Sequence, residues 1–339
     1  MPSENPAPPT SGIRSGARVS PGGKGGVAAY VAIARPDHWF KNVFMLLGVV
    51  LAFFVAPPSG GSWVLSLALA VGATCLVASS NYVINEILDA KRDAMHPVKR
   101  HRPVPSGKVS IPVAYLEWAG LGAVGLAAAW TLGPGFFGSA AALWVAGLAY
   151  NVPPVRTKDL PYADVLSESL NNPIRLYLGW FALIPDRVPP LSLTIAYWMA
   201  GAFLMGAKRL AEYRMIGDPE VAGAYRSSFR HYTEERLILS LFFYVASCAF
   251  FSGVFVVRYH LELLFASPFF AGFFAYYMKV CFKPHSPVQA PEKLYREAGL
   301  VFFGCVAVGV FILLLFVEIP GLYDLFRVIP SRVAPLWKF

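Results

Sequence analysis

Charged side chains are scarce in this 339-residue chain, because Asp, Glu, Lys and Arg together make up only 14% of it. Ordinary soluble domains carry about 25%. Apolar residues reach 56%, and the mean hydropathy is +0.52. A surface with so few charges suits lipid rather than water. The composition therefore predicts an integral membrane protein whose partner is the lipid bilayer, and it gives no reason to expect a nucleic-acid partner.

Signatures of several other protein classes are also lacking. The four cysteines lie in or beside apolar runs without metal-ligand spacing, which predicts buried, reduced thiols and no disulfide framework. No Gly-rich nucleotide-binding loop, zinc-type spacing or Ser-His-Asp order stands out. Residues 1–26 are polar, rich in Pro, Gly and Ser, and contain no apolar core of a signal peptide. We therefore expect residues 1–27 to form a disordered cytoplasmic tail.

What the chain does contain is a series of apolar runs long enough to cross the hydrocarbon core of a bilayer. These runs lie near residues 40–56, 63–84, 112–131, 135–150, 162–183, 190–207, 237–257, 261–280 and 299–317. Basic residues concentrate in every second connection, beginning with the N-terminal tail, which by the positive-inside rule places these connections in the cytoplasm and the C-terminus outside. We expect a transmembrane domain of residues 28–318 and a C-terminal tail of residues 319–339, in the cell membrane.

Nearly all the ionisable residues capable of chemistry fall on the predicted cytoplasmic side. The sequence therefore predicts an all-α integral membrane fold with about nine transmembrane helices around one cytoplasmic-side cavity.

Asn85, Asp89 and Asp93 recur every fourth residue at the end of an apolar stretch and form the most informative pattern in the chain. On an α-helix, a step of four residues turns about 40° past a full circle and rises about 6 Å, so the three side chains lie along one face, here called the acidic stripe. Carboxylates at a membrane surface are costly unless they are paired, and Mg2+ with a bound phosphate suits them. Glu86 offers a further oxygen beside Asn85, so these four residues are the predicted metal ligands.

A second acid pair, Asp164 and Glu168, lies four residues apart in the fifth predicted span. Two helices that each carry acids suggest a metal-bound diphosphate held between them. The basic residues able to bind its phosphates through charge-assisted hydrogen bonds are Lys99, Arg100, Arg102, Lys158, Lys208 and Arg209.

Several of these residues also have simpler interpretations, which the sequence leaves open. Lys and Arg next to a membrane also act as topology determinants and lipid contacts. Arg175 lies within a span, where it serves either a function or an internal ion pair with Glu168. Lys41 and Tyr150 are also predicted to bind substrate. For Tyr150 an interfacial position without a catalytic role is the simpler interpretation, because aromatic residues are common at membrane interfaces. Asn171-Asn172-Pro173 predicts a kink that either lines the cavity or serves packing.

The acidic stripe resembles the first aspartate-rich motif of the UbiA superfamily of intramembrane prenyltransferases, and the second acid pair resembles a degenerate form of the second motif. The resemblance covers nearly all of the membrane part. It is strongest to the decaprenyl-phosphate phosphoribosyltransferase branch, on the segments Arg35 to Asn42, His96 to Pro103 and Lys208-Arg209 with Glu212. The chain departs from the pattern in two places, because Glu86 follows Asn85 where Asp is usual and the second motif ends in Glu168.

The resemblance implies a nine-helix fold with a Mg2+-diphosphate site and a lateral opening for a polyprenyl chain. It implies a transferase that moves phosphoribose from phosphoribosyl diphosphate to a polyprenyl phosphate and releases diphosphate. Mg2+ on the acidic stripe would hold the donor, neutralised by Lys99, Arg102, Lys158 and Lys208. Asp164 would orient the ribose hydroxyls or hold a second metal, and Arg175 would steady the lipid phosphate. The predicted catalytic residues are Asp89, Asp93, Asp164 and Lys158.

Two other functions remain open at this point. The same metal site could ionise a polyprenyl diphosphate for attack by an aromatic acceptor. Alternatively, a transporter of anionic metabolites would also carry charges and broken helices within the membrane. The sequence makes no prediction of the oligomeric state.

Overall fold

The computed structural model describes residues 25–57, 61–95, 99–289 and 291–326. These residues form an all-helical fold without strands, as predicted. Most of the predicted N-terminal tail and the end of the predicted C-terminal tail lie outside the described residues. So do residues 96–98 of the basic segment, which runs from Lys91 to Lys108.

Thirteen α-helices occur in the described part of the chain, with short 3-10 segments between some of them. Their bounds are α1 Val27–Ala34, α2 Leu46–Val55, α3 Ser62–Asp93, α4 Ile111–Trp130, α5 Pro134–Asn151, α6 Ala163–Ser169, α7 Asn171–Phe181, α8 Leu191–Ile216, α9 Pro219–Tyr225, α10 Glu234–Tyr259, α11 Ser267–Cys281, α12 Ala298–Leu314 and α13 Pro320–Leu325.

Five helical segments are long and apolar enough to cross a membrane. They are Val27–Val55, Ser62–Asp93, Ile111–Trp130, Glu234–Tyr259 and Leu261–Cys281. The remaining predicted spans coincide with α5, with α6 and α7 together, with α8 and with α12. The protein is therefore a multi-pass membrane protein, and the number of nine crossings stays a prediction.

The first span begins earlier than predicted and is broken near its start. Helix α1 ends at Ala34, and a 3-10 helix over Pro36–Met45 leads into α2. Arg35 adopts a left-handed conformation at the break, with φ 53°. A residue before proline is disfavoured in the helical region, so Pro36 explains why α1 stops here.

The fifth predicted span is also divided, at the place where a kink was expected. Helix α6 ends at Ser169 and α7 begins at Asn171, which puts Pro173 in the first turn of α7. Proline is tolerated there because the first N–H groups of a helix have no partner within the helix.

Two glycines let α2 and α7 pack with their backbones almost in contact. A Cβ atom added at Gly48 would lie 2.0 Å from the carbonyl oxygen of Leu176, and one added at Gly179 would lie 2.1 Å from that of Met45. Small residues at helix contacts are typical of membrane proteins, where close van der Waals packing drives association. This contact fixes the position of α7, which carries Arg175.

Buried apolar side chains form two main clusters. One joins α2, α3, α5 and α7, and the other joins α8, α10 and α11. Between them, the polar residues predicted from sequence collect where α3 and α5 end and α6 begins. Because successive long helices run in opposite directions, these ends meet at one end of the bundle.

Candidate active site

Asp89 lies at the centre of a network of polar contacts between α3 and the loop that follows α5. Lys158 Nζ donates to Asp89 Oδ1 at 2.7 Å and to Asp89 Oδ2 at 2.8 Å, and Arg156 Nη2 donates to Oδ1 at 2.8 Å. Lys158 also donates to Asn151 Oδ1 at 2.8 Å. Burial lowers the pKa of Lys158 to about 8, although Asp89 opposes this shift. The loop thus brings two cations to one carboxylate of the acidic stripe.

The two other members of the acidic stripe make separate contacts. Asn85 Nδ2 donates to Asn151 Oδ1 at 2.5 Å. The carboxylate of Asp93 accepts from Arg102 Nη1 at 2.7 Å. The stripe therefore holds a polar residue on each of three successive helical turns, two of them carboxylates that are already matched by a cation.

Glu86 has a different environment from the acidic stripe. Its carboxylate is buried and accepts a hydrogen bond from the backbone N–H of Val104 at 3.0 Å. One residue along a helix turns by about 100°, so adjacency in sequence does not place Glu86 on the face that carries Asn85. Its observed contact holds the basic segment against α3, and its role as a metal ligand stays a prediction.

The second acid pair is organised by one buried arginine. The Arg209 side chain is 1% exposed and donates to Asp164 at 3.1 Å, to Glu168 at 2.5 Å and to Glu212 at 3.5 Å. A buried guanidinium is stabilised only when carboxylates and hydrogen bonds compensate for the loss of water. Arg209 therefore ties α8 to α6 through both predicted acids.

Asp164 is fully buried, and four side chains donate to it or pair with it. Tyr232 Oη donates to Oδ1 at 2.7 Å and Ser228 Oγ to Oδ2 at 3.1 Å, while Arg226 Nε lies 3.3 Å from Oδ2 and Arg209 completes the set. Because 0% of Asp164 is exposed, its carboxylate has only these side chains as partners among the described residues, and its hydrogen bonds hold them in position. The role of Asp164 in catalysis or metal binding stays a prediction.

Tyr150 joins the network around Asp89 to the second acid pair. Its hydroxyl donates to Glu168 Oε2 at 3.2 Å and accepts from Arg226 Nη2 at 3.2 Å. Lys158 Nζ lies 5.9 Å from the centre of its ring, within the range of a cation–π contact. Tyr150 is therefore part of the polar network at this end of the bundle, beyond the interfacial role that its sequence position suggests.

The remaining predicted cations differ in how the structure uses them. Lys99 is half-buried, and burial lowers its pKa, although nearby Asp93 opposes the shift. Arg100 is exposed, and its Nε lies 3.3 Å from the ring of His101. Arg175 is buried and does not pair with Glu168, because Glu168 is paired with Arg209. Arg175 Nε instead donates to Asn42 Oδ1 at 3.0 Å.

Several residues of this network were not among the predicted site residues. They are Asn42, Asn151, Arg156, Arg226, Ser228 and Tyr232. Arg156 could have been found, since it stands two residues before Lys158 in the same short loop. The others have no local signal, because they become neighbours only when distant helices pack.

The donor set of the acidic stripe fits Mg2+. Within the described residues, no three His, Cys, Asp or Glu side chains lie close enough together to hold a metal ion. The stripe instead combines the carboxylates of Asp89 and Asp93 with the amide of Asn85, and hard cations such as Mg2+ prefer oxygen ligands of this kind. The Lys158 ammonium already lies among three oxygens, two from Asp89 and one from Asn151. This position therefore suits a cation held by oxygens.

The described helices and the charged network at one end of the bundle define a multi-pass α-helical membrane protein with a site suited to a phosphorylated ligand. The model of the UbiA prenyltransferase family matches residues 45–296, and the chain belongs to this family. It is therefore a membrane transferase. This assignment confirms the predicted family and enzyme class and replaces the transporter alternative.

Relatives with known names support the same assignment. Decaprenyl-phosphate phosphoribosyltransferase of Mycobacterium tuberculosis is 37% identical over 109 residues, a match that spans 32% of this chain and only 36% of that relative. Digeranylgeranylglyceryl phosphate synthase of Methanoregula boonei is 30% identical over 203 residues, which is 58% of this chain and 68% of that protein. A solved structure of a UbiA homolog from Archaeoglobus fulgidus, bound to GPP and Mg2+, aligns over 85% of this chain and 98% of that one with a TM-score of 0.63 and 20% identity. The structural likeness shows a shared fold.

Proposed function

We propose that this protein transfers phosphoribose from phosphoribosyl diphosphate to a polyprenyl phosphate and releases diphosphate, with Mg2+ as cofactor. The observation that carries the proposal is the network around Asp89, in which Lys158 and Arg156 both contact one carboxylate of the acidic stripe. Carboxylates suit the metal, and cations suit the phosphates. The partial relatives named as phosphoribosyltransferases support the choice of donor.

Asn85, Asp89 and Asp93 would hold the metal ion. The ion would supply positive charge to the phosphate oxygens of a bound diphosphate. The chain contributes the cations that flank it. Lys158 and Arg156 contact Asp89, and Arg102 contacts Asp93, so these cations would lie close enough to donate hydrogen bonds to the phosphate oxygens of a donor bound at the acidic stripe.

The transfer itself breaks the bond between the anomeric carbon and the diphosphate oxygen. Negative charge then develops on the leaving diphosphate. The contacts of Lys158, Arg156 and Arg102 with the acidic stripe support a role for these cations in stabilising that charge. A phosphate oxygen of the lipid forms the new bond to the anomeric carbon. Because this oxygen is already anionic, the chain needs no general base.

We further propose that this end of the bundle and the N-terminus face the cytosol and that the C-terminus lies outside, in a cell membrane. The alternating distribution of basic residues supports this orientation. A cytosolic site would receive the soluble sugar donor directly. The transferase domain is proposed to span residues 28–318, which enclose the residues matched by the family model.

The alternative transfer moves a polyprenyl group from its diphosphate to an aromatic acceptor. One observation favours it, since the solved structures with the same fold include one bound to GPP and Mg2+. The metal chemistry is shared by both reactions. The donors must therefore be compared directly.

The test measures diphosphate released by the purified protein in detergent with Mg2+. One reaction contains phosphoribosyl diphosphate and a polyprenyl phosphate, and the other contains geranyl diphosphate and an aromatic acid. We expect release only in the first, and we expect it to disappear when Asp89 and Asp93 are both replaced by Ala. Asp186→Ala, in the exposed loop between α7 and α8, is the matched control and should keep full activity. Release only from geranyl diphosphate would establish the alternative.

A further inference from the structure

Four cations near the active site have no carboxylate partner, in contrast to those that contact the acidic stripe and the second acid pair. They are Arg35, Lys41, Arg175 and Lys208, here called the free cation group. Among the described residues, none of the four lies within ion-pair distance of a carboxylate. Buried or half-buried cations that have no carboxylate partner can bind an anion that is not a protein side chain.

Arg175 is the member of the free cation group whose burial is least favourable in free energy. It is 7% exposed, and its partners are neutral. Nε donates to Asn42 Oδ1 at 3.0 Å and Nη1 to the carbonyl oxygen of Asn171 at 3.5 Å. A buried guanidinium without an opposing charge is unfavourable, and within the membrane such residues generally mark a site of function.

Tyr82 of α3 holds the group together. The charged ends of Arg35 and Lys41 lie 5.9 and 5.8 Å from the centre of its ring. Arg175 donates to Asn42, the residue that follows Lys41, and the charge of Lys208 also acts on Lys41, so the four cations lie in one region. Like charges brought together in this way repel one another until an anion binds between them.

The nearest carboxylates do not cancel this positive charge. Glu168 attracts Lys41 more than any other charged residue does, and it also attracts Lys208, but its hydrogen bonds go to Arg209 and Tyr150. Asp37 and Glu86 act on Arg35 without forming an ion pair with it. The free cation group therefore keeps a net positive charge.

The position of the group relates it to the lipid. Tyr82 precedes Asp89 by seven residues on α3, so it lies about 10 Å further along the helix axis, toward the middle of the bundle. The 3-10 helix that carries Lys41 exposes large apolar side chains beside it, with Trp39 42%, Phe40 58% and Val43 53% exposed. A phosphate bound here would lie deeper than the donor diphosphate and next to a surface suited to a hydrocarbon chain.

We propose that the free cation group binds the phosphate monoester of the polyprenyl phosphate acceptor, at a site distinct from the metal site and independent of Mg2+. A phosphate monoester carries more than one negative charge near neutral pH and needs cations alone. This inference rests on the proposed function, since it assigns the acceptor within that reaction. The 5-phosphate of the sugar donor is the other phosphate monoester present, so the test must separate the two.

The experiment measures binding of undecaprenyl phosphate to the detergent-solubilised protein in EDTA, where no metal-dependent donor binding occurs. We expect Lys41→Gln and Arg175→Gln each to raise the Kd at least about tenfold, the effect of one lost charge-assisted hydrogen bond. Lys41→Arg should restore most of the affinity. Lys279→Gln is the matched control, because Lys279 is exposed and lies 5.6 Å from the ring of Tyr276. Arg175 is buried, and if Arg175→Gln fails to fold, Lys41→Gln still tests the proposal, because Lys41 is only half-buried.

Two further ligands identify the source of the phosphate. Undecaprenol, which lacks the phosphate, should bind the wild type weakly and should not respond to Lys41→Gln. Ribose 5-phosphate should not displace the lipid. Displacement by ribose 5-phosphate would assign the site to the donor and overturn the proposal, as would a Kd for undecaprenyl phosphate that Lys41→Gln leaves unchanged.

This result and the proposed transfer can fail separately. If the lipid phosphate binds as expected but no phosphoribosyl lipid is formed, the acceptor site stands and the transfer reaction is wrong. If the product forms but Lys41→Gln raises only the KM for phosphoribosyl diphosphate, the transfer stands and the acceptor site is wrong.

Discussion

Lys158 donates to both carboxylate oxygens of Asp89, at 2.7 and 2.8 Å, although the two residues are 69 positions apart in the chain. The contact joins the end of α3 to the loop after α5. Asn151 Oδ1 supports it from the end of α5. A cation and a carboxylate thus lie side by side, which would reduce the rearrangement needed to hold the metal-bound diphosphate of the proposed reaction.

Replacing Lys158 by Met should lower kcat/KM for phosphoribosyl diphosphate by about 100-fold, because in the proposed reaction the leaving diphosphate would lose one preorganised cation. Lys158→Arg keeps the charge and should retain most of the activity. Steady-state kinetics with both variants check this expectation. Equal losses for Met and Arg would show that the shape of Lys158, rather than its charge, matters.

Replacing Asn151 by Leu should lower kcat by about tenfold while the protein remains folded. Leu has a similar size but cannot accept the hydrogen bonds from Lys158 and Asn85, and each such bond contributes about 1 kcal/mol. Activity and the thermal unfolding midpoint are measured on the same preparation. Unchanged kcat would mean that Asn151 does not help to place Lys158.

Replacing Asp164 by Leu should act mainly on stability. The substitution takes one of three carboxylates from the buried Arg209 and the acceptor from Ser228 and Tyr232. Breaking a buried ion pair by removing one partner costs about 3–5 kcal/mol. Asp89→Leu, at a partly exposed carboxylate, should abolish activity with a much smaller loss of stability. Thermal unfolding in detergent compares the two variants. If Asp164→Leu loses activity but unfolds like the wild type, Asp164 takes part in catalysis.

Replacing Gly48 by Ala should destabilise the protein by about 1–3 kcal/mol, because the new Cβ would lie 2.0 Å from the carbonyl oxygen of Leu176 and force α2 and α7 apart. Gly72 on α3 is the matched control, since a Cβ there would meet nothing within 4 Å. Gly72→Ala should be neutral or stabilising, by up to about 1 kcal/mol. Chemical unfolding of both variants distinguishes close packing from general effects on helix formation.

The fold class and the acidic stripe could be predicted from sequence because both depend on local patterns. Apolar runs are read directly against the thickness of a bilayer, and a four-residue spacing fixes one helix face. The partners of that face could not be predicted. Arg156 and Lys158 contact Asp89 only because α3 and α5 pack side by side, and no spacing in the sequence encodes that packing.

Glu168 and Arg175 show the same limit in the second part of the site. They stand seven residues apart and could pair on one helix, yet Ser169 ends α6 and Asn171 begins α7 between them. Glu168 instead forms an ion pair with Arg209 of α8, and Arg175 donates a hydrogen bond to the neutral side chain of Asn42. Which of two possible cations pairs with an acid depends on the tertiary contacts of the helices.

The proposed reaction transfers phosphoribose to a lipid phosphate, and the mass of the lipid product shows whether this transfer occurs. The purified protein is incubated with Mg2+, phosphoribosyl diphosphate and undecaprenyl phosphate, and the lipid is extracted and analysed by mass spectrometry. We expect the wild type to form a lipid heavier by one phosphoribosyl group, and we expect this product to be absent with EDTA and absent for Asp89→Asn. An unmodified lipid in a reaction where the same protein prenylates an aromatic acceptor from geranyl diphosphate would contradict it.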